Sequence, residues 1–155
     1  MNEKQLTDLF ARLGAQNPER WAHSQVTEGI PQLARFLFLR QAWKLIVAAN
    51  DTSWIERELQ ADATQPGGAI ACALKRLLAK DASKTDLTTI VKVMQWQLLF
   101  SLCYLLEDPG DLEPEVKDMA WSLFQIDEMG RPLRPIGALH ESVLETEPCG
   151  REMRA

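Results

Sequence analysis

The chain has 155 residues, of which 46% are hydrophobic and 25% are charged. This length and composition are typical of one globular domain, and they exclude a disordered chain, a collagen-like chain and a small disulfide-stapled protein. The formal net charge is −5, which argues against a nucleic-acid partner because phosphate backbones are bound through basic surfaces.

The spacing of apolar residues predicts helices along almost the whole chain. A first helix should cover residues 3–13 and end at Gly14, because glycine favours the left-handed conformation of a helix C-cap. Asn17 and Pro18 are typical of an N-cap and a first helical position, so we expect a short second helix that ends near Ser24.

The third predicted helix is apolar on nearly all sides. It starts between Thr27 and Pro31, ends near Ala49, and should be buried by neighbours on several sides. Arg35 and Arg40 interrupt its apolar sequence. Because a buried guanidinium requires an ion pair, a solvated end or a ligand, these two arginines are candidates for an internal cleft.

Three further helices follow in the middle of the chain. Ser53 and Glu56 fit a capping box that begins a helix ending near Ala61. Apolar residues at helical spacing predict the next helix over 70–78, and Thr85 should cap the longest helix, over 86–107. The second half of that helix is apolar all round, so we expect it to be the second buried, central helix.

The C-terminal part of the sequence changes in character. Pro114 opens a predicted last long helix that ends at Ile126, whereas residues 127–137 contain two glycines and two prolines and predict irregular structure. Residues 138–146 should add about two helical turns, and no segment shows the alternation of a strand. The sequence thus predicts an all-α, compact single-domain bundle of about six helices over 1–126, with two central apolar helices. A C-terminal arm over 127–155 would be packed on the bundle or partly disordered.

Motifs for catalysis and cofactor binding are missing from the sequence. It contains no phosphate loop, no dinucleotide fingerprint and no nucleophile elbow. His140 and Glu141 begin a zinc-type pattern, but Leu144 stands where the second histidine is needed. The sequence therefore predicts no cofactor, no metal and no catalytic residue, and it favours a protein that is not an enzyme.

The cysteines and the N-terminal sequence indicate the cellular compartment of the protein. Three widely spaced cysteines are typical of reduced thiols, and the N-terminus lacks the apolar core of a secretory signal. No uninterrupted apolar run approaches the ~20 residues that span a bilayer. We therefore expect a cytoplasmic protein without a membrane partner.

Acidic residues are concentrated in one stretch. Residues 105–128 carry eight acidic side chains and one lysine, a net charge of −7, so the rest of the chain carries +2. Such a surface is either a solvated face or a docking site that attracts a basic partner and accelerates its association. The leading hypothesis is a protein-interaction module, such as an immunity-type inhibitor, that docks a basic protein partner through an acidic helical face. Its predicted contact residues are Glu107, Asp108, Asp111, Glu115 and Asp118.

Two other hypotheses stay open at this point. The first is a small enzyme or ligand-binding bundle with a pocket between the central helices near Arg35, Arg40 and Trp43. A cavity with convergent polar groups favours this hypothesis, whereas a solid core argues against it. The second is a homo-oligomer that associates through the C-terminal arm or an exposed apolar face.

Overall fold

The computed structural model describes residues 1–154, and their regular secondary structure is mainly helical. The predicted all-α fold class is therefore confirmed. The chain forms two compact units: Met1–Leu45 with the chain from Leu98 onward, and Ile46–Gln97. The proposed division into a bundle and an arm at residue 126 stays a prediction.

Seven helices and two short strands lie within residues 1–154. They are α1 (Glu3–Leu13), α2 (Pro18–Thr27), α3 (Gln32–Trp43), α4 (Ser53–Leu59), α5 (Ala69–Leu78), α6 (Lys84–Leu105), β1 (Phe124–Ile126), β2 (Pro132–Pro135) and α7 (Leu139–Ser142). Among these helices, none has both the length and the apolar character needed to cross a membrane.

The first two helices begin at local signals in the sequence. Asn2 and Gln5 form a capping box at the start of α1, and Gly14 ends the helix with φ 89°. The predicted bounds of α1 are therefore confirmed. Helix α2 begins at Pro18, as predicted, but it continues past Ser24 to Thr27.

The core of the first unit joins α1, α2 and α3 through three aromatic rings. Phe10, Trp21 and Phe36 lie with ring centroids 5.4 to 5.9 Å apart, and all three are buried. Helix α3 also packs against α7. The indole N–H of Trp43 donates to the carbonyl of Val143, the residue after α7, at 2.9 Å. Helix α3 is thus covered on more than one side, although it ends at Trp43 and not near Ala49.

The second unit has its own small core. Trp54 and Ile55 of α4 are buried together with Leu74 of α5, and the Trp54 indole donates to the Thr88 hydroxyl of α6 at 2.9 Å. The predicted capping box of α4 is wrong. The N–H of Ser53 donates to the Asp51 carboxylate at 2.8 Å, so the cap precedes the predicted position.

The C-terminal half of α6 is not the buried central helix that its composition predicted. Its buried side carries Cys103, while Leu98 on another side is 60% exposed. Tyr104 contacts His140 of α7 with ring centroids 5.1 Å apart. Helix α7 therefore covers one side of α6, and the opposite apolar side is open to solvent.

The predicted helix over 114–126 is also wrong. Residues 114–118 form turns, and residues 119–123 are irregular. The next three residues form β1, which pairs antiparallel with β2 so that Phe124 lies opposite Pro135. The apolar residues that would have faced inward along this helix, such as Val116 and Met119, are exposed. With no surface to bury them, helical spacing alone does not stabilise a helix here.

Candidate functional site

An exposed apolar ridge lies along the second half of α6. It consists of Leu98, Leu102 and Leu105, which are 60%, 47% and 46% exposed. Their spacing of four and three residues places them on the same side of a helix. We call these three side chains the α6 ridge. All three belong to the half of α6 that was predicted to be buried.

Trp121 extends this apolar surface at the end of α6. Its indole N–H donates to the Leu105 carbonyl at 2.6 Å, which satisfies one of the last carbonyls of the helix. The ring itself is 43% exposed. Residues 106–120 therefore leave the end of α6 and return to it, and Met119, which is 60% exposed, lies in this returning segment.

The same returning segment carries the acidic residues. Asp108, Asp111, Glu113, Glu115 and Asp118 are all exposed; we call this group the acidic loop. The prediction that they share a helical face is wrong, because they lie in turns and irregular chain. Within residues 1–154 the carboxylates of the last four have no hydrogen-bond or ion-pair partner. Only Asp108 is engaged, accepting from the N–H of Gly110 at 2.8 Å.

Glu107 does not belong with the acidic loop. Its carboxylate accepts from the N–H of Ala138 at 2.7 Å and from the N–H of Leu139 at 2.5 Å. His140 Nδ1 lies 3.5 Å from the same carboxylate. Glu107 thus fastens the start of α7 to the end of α6, and its predicted place in a partner-binding face has no support from the geometry.

The three predicted pocket residues lie in different surroundings. Arg35 is buried and lines a cleft of about 320 Å³ between α2, the chain that leads into α3, and α7. Arg40 is half-buried on α3 and does not line the cleft. Trp43 is part of the core contact to α7. The predicted pocket is therefore displaced from the two central helices to the α2 and α7 side of α3.

Sequence reasoning missed the other polar residues of this cleft. Trp21 and Gln32 are buried within its lining, and Glu145 approaches it from the chain after α7. One signal was present, because helical spacing places Gln32 and Arg35 on the same side of α3. Glu145 carried no such signal, since it is far away in sequence.

Comparison of the chain with protein-family models, with curated proteins and with solved structures found no match. Within residues 1–154, no three His, Cys, Asp or Glu side chains form a group able to hold a metal ion.

Proposed function

We propose that this protein is an interaction module that binds a protein partner with a basic surface. Two observations carry the proposal: the exposed α6 ridge, and the acidic loop that follows α6, in which four of the five carboxylates have no hydrogen-bond or ion-pair partner among residues 1–154. Exposed apolar areas rimmed by polar residues are typical of protein interfaces, because leaving such areas in water is unfavourable. A basic rim around an apolar centre on the partner would complement both features.

The two features contribute differently to binding. Burial of the α6 ridge and of Trp121 would supply affinity, since tryptophan is enriched among the residues that dominate binding energy. The acidic loop would orient the partner and raise the association rate, because opposed charges attract over several ångströms before contact. We therefore expect binding to weaken with salt through slower association.

A basic partner fits the surface better than a second copy of this chain. In a two-fold symmetric dimer the same patch lies on both subunits. If the two-fold axis passed through the acidic loop, the two loops would face one another, and like charges at an interface repel. The charge of the loop thus favours a different protein over the homo-oligomer.

An inhibitor of a basic enzyme is the more specific form of the proposal. A small acidic helical protein is suited by size and charge to cover a basic active-site cleft, as an immunity-type inhibitor does. Cys72 and Cys149 are exposed free thiols, which supports a reducing, cytoplasmic location.

Charge reversal tests the acidic loop directly. Tagged wild-type protein would capture partners from native cell lysate, with the combined variant Asp111→Lys, Glu115→Lys and Asp118→Lys beside it. A control with the same charge change carries Asp8→Lys, Glu19→Lys and Asp86→Lys, which are exposed acids elsewhere in the chain. We expect the wild type and the control to retain one stoichiometric basic protein and the loop variant to lose it. Equal capture by all three proteins contradicts the proposal.

A second variant tests the α6 ridge. Leu98→Gln with Leu102→Gln should abolish capture of the same partner and slow its association little. Leu98 is 60% and Leu102 is 47% exposed, so the free energy of unfolding should change by no more than about 1 kcal/mol for the two substitutions together. If the double variant keeps full affinity for the partner, the α6 ridge is not part of the interface.

A further inference from the structure

The cleft beside Arg35 has the dimensions of a small-molecule site. Its volume of about 320 Å³ lies at the lower end of the range for ligand pockets. The walls come from α2, the chain leading into α3, α3 and α7, all within the first unit. This cleft does not include the α6 ridge or the acidic loop.

Buried polar atoms without hydrogen-bond partners are concentrated in this cleft. Within residues 1–154, four such side-chain atoms belong to residues that line it. Two are donors, Trp21 Nε1 and Arg35 Nε, and two are acceptors, Gln32 Oε1 and Glu145 Oε1. Native proteins pair almost all buried polar groups, and the one polar contact that these four atoms make within residues 1–154 is the 3.9 Å ion pair of Glu145 Oε1 with Arg20 Nη1, so the cleft offers unused donors and acceptors to a polar ligand.

Among these four residues, Arg35 is the one whose burial without an ion pair costs the most free energy. Its residue surface is only 9% exposed, and within residues 1–154 no ion pair joins its guanidinium to a carboxylate. Burial lowers the pKa of Arg35, and the charges of Glu107, Glu141 and Glu145 partly offset that effect. Arginine nevertheless stays protonated in proteins. A buried cation of this kind requires an anionic group, and guanidinium is matched to a carboxylate or phosphate.

The rest of the lining argues against a ligand that is only anionic. Glu28, Glu141 and Glu145 also line the cleft, opposed by Arg20 and Arg35. Arg20 Nη1 lies 3.9 Å from Glu145 Oε1, but the Arg20 side chain is 78% exposed. A phosphate ion would therefore meet three carboxylates. A ligand with one negative and one positive group would satisfy both kinds of wall.

The orientation of Gln32 is set by the protein and not by a ligand. Its side-chain N–H donates to the Ser24 hydroxyl at 2.8 Å. One N–H of the amide is thus engaged, which fixes the orientation of the side chain, and the amide oxygen is an acceptor without a hydrogen-bond partner within residues 1–154. Together with Glu145, it offers two acceptors to an ammonium group, which carries three donors.

We propose that this cleft binds a free α-amino acid, with the ligand carboxylate held by Arg35 and Trp21 and the ligand ammonium held by Gln32 and Glu145. An α-amino acid carries both charged groups on one carbon atom, and its small size suits the cavity. The polar walls would hold the two charged groups, and the ligand side chain would lie toward the open side of the cleft. Each ligand group would replace a hydrogen bond that the protein by itself lacks.

Calorimetry and thermal unfolding with the twenty amino acids test this proposal. At least one should bind at millimolar concentration or below and raise the melting temperature. Its N-acetyl derivative and its amide each lack one charged group, so each should bind at least about tenfold more weakly. Absence of binding by every amino acid, or equal binding of inorganic phosphate, would overturn the proposal.

Variants separate recognition from folding. Arg35→Met should abolish binding without lowering the melting temperature, because an apolar side chain replaces an unpaired buried charge. Trp21→Phe keeps the aromatic packing but removes the N–H, and should weaken binding about tenfold. Arg40→Met on the same helix is the control and should bind normally. Wild-type affinity in Arg35→Met would refute the assignment, and none of these variants should alter capture of the protein partner.

Discussion

The carboxylate of Glu107 accepts a hydrogen bond from the N–H of Ala138, 31 residues further along the chain, at 2.7 Å. It accepts a second bond from the N–H of Leu139, the first residue of α7. The first N–H groups of a helix have no partners within the helix, so a carboxylate at that position stabilises it. The first member of the predicted acidic face is therefore a structural link between α6 and α7.

Glu107→Gln should lower the free energy of unfolding by roughly 2 kcal/mol, because an amide has one acceptor oxygen and no charge for these two bonds. Urea unfolding measures the change. Asp111→Asn is the control, since Asp111 is exposed and has no hydrogen-bond or ion-pair partner within residues 1–154, and it should cost no more than ~0.5 kcal/mol. If the two substitutions cost the same, Glu107 does not hold α7 in place.

Cys103 should behave differently from the other two cysteines. Burial, with a smaller contribution from the charge of Glu107, raises the pKa of Cys103 to about 11. Cys72 and Cys149 are exposed. Because the thiolate is the reactive form, a thiol reagent at mildly alkaline pH should modify two cysteines quickly and the third only after denaturant is added. Rapid modification of all three in the folded protein would show that Cys103 is accessible.

Asp127 should make the stability of the turn between β1 and β2 sensitive to acid. Its carboxylate accepts from the N–H of Arg131 at 2.9 Å, from Arg131 Nε at 2.7 Å and from the N–H of Met129 at 2.9 Å. These bonds, with those from Arg131 dominant, lower the pKa of Asp127 below its ordinary 3.8. A carboxyl group with a lower pKa in the folded state stabilises that state above the unfolded pKa, and this stabilisation is lost as the pH falls through the folded pKa.

Comparison of the wild type with Asp127→Asn isolates this contribution. Amide hydrogen exchange of Arg131 should be slower in the wild type at neutral pH, after correction for the intrinsic rate at each pH. The difference should shrink below about pH 4 as the carboxyl is protonated. A difference that stays constant down to pH 2 would show that protonation of Asp127 does not control the turn.

Local signals in the sequence were sufficient for the helices whose ends depend on neighbouring residues. Gly14 ends α1 because glycine adopts φ 89° without strain. Pro18 begins α2 because its missing N–H is not needed at the first helical position. Helical spacing also placed Gln32 and Arg35 on one side of α3, where both are buried.

The tertiary structure decided which apolar residues are covered. Residues 98–106 are almost entirely apolar, but within this stretch only Cys103 is buried, and Leu98 stays 60% exposed. The segment 114–126 has helical spacing, yet it forms turns, irregular chain and the strand β1. Its last three residues pair with β2, and its apolar residues Val116 and Met119 stay exposed.

At the two candidate sites, too, the sequence determined some features and the tertiary structure decided others. The sequence by itself determined the acidic composition of residues 105–128 and the presence of an arginine within an apolar helix. Only the tertiary structure turned Glu107 inward, left the rest of the acidic loop in solvent, and brought Trp21 and Glu145 to the cleft beside Arg35. The reason is physical: charge and periodicity are local properties, whereas burial and hydrogen-bond partners depend on residues that the fold brings together from distant parts of the chain.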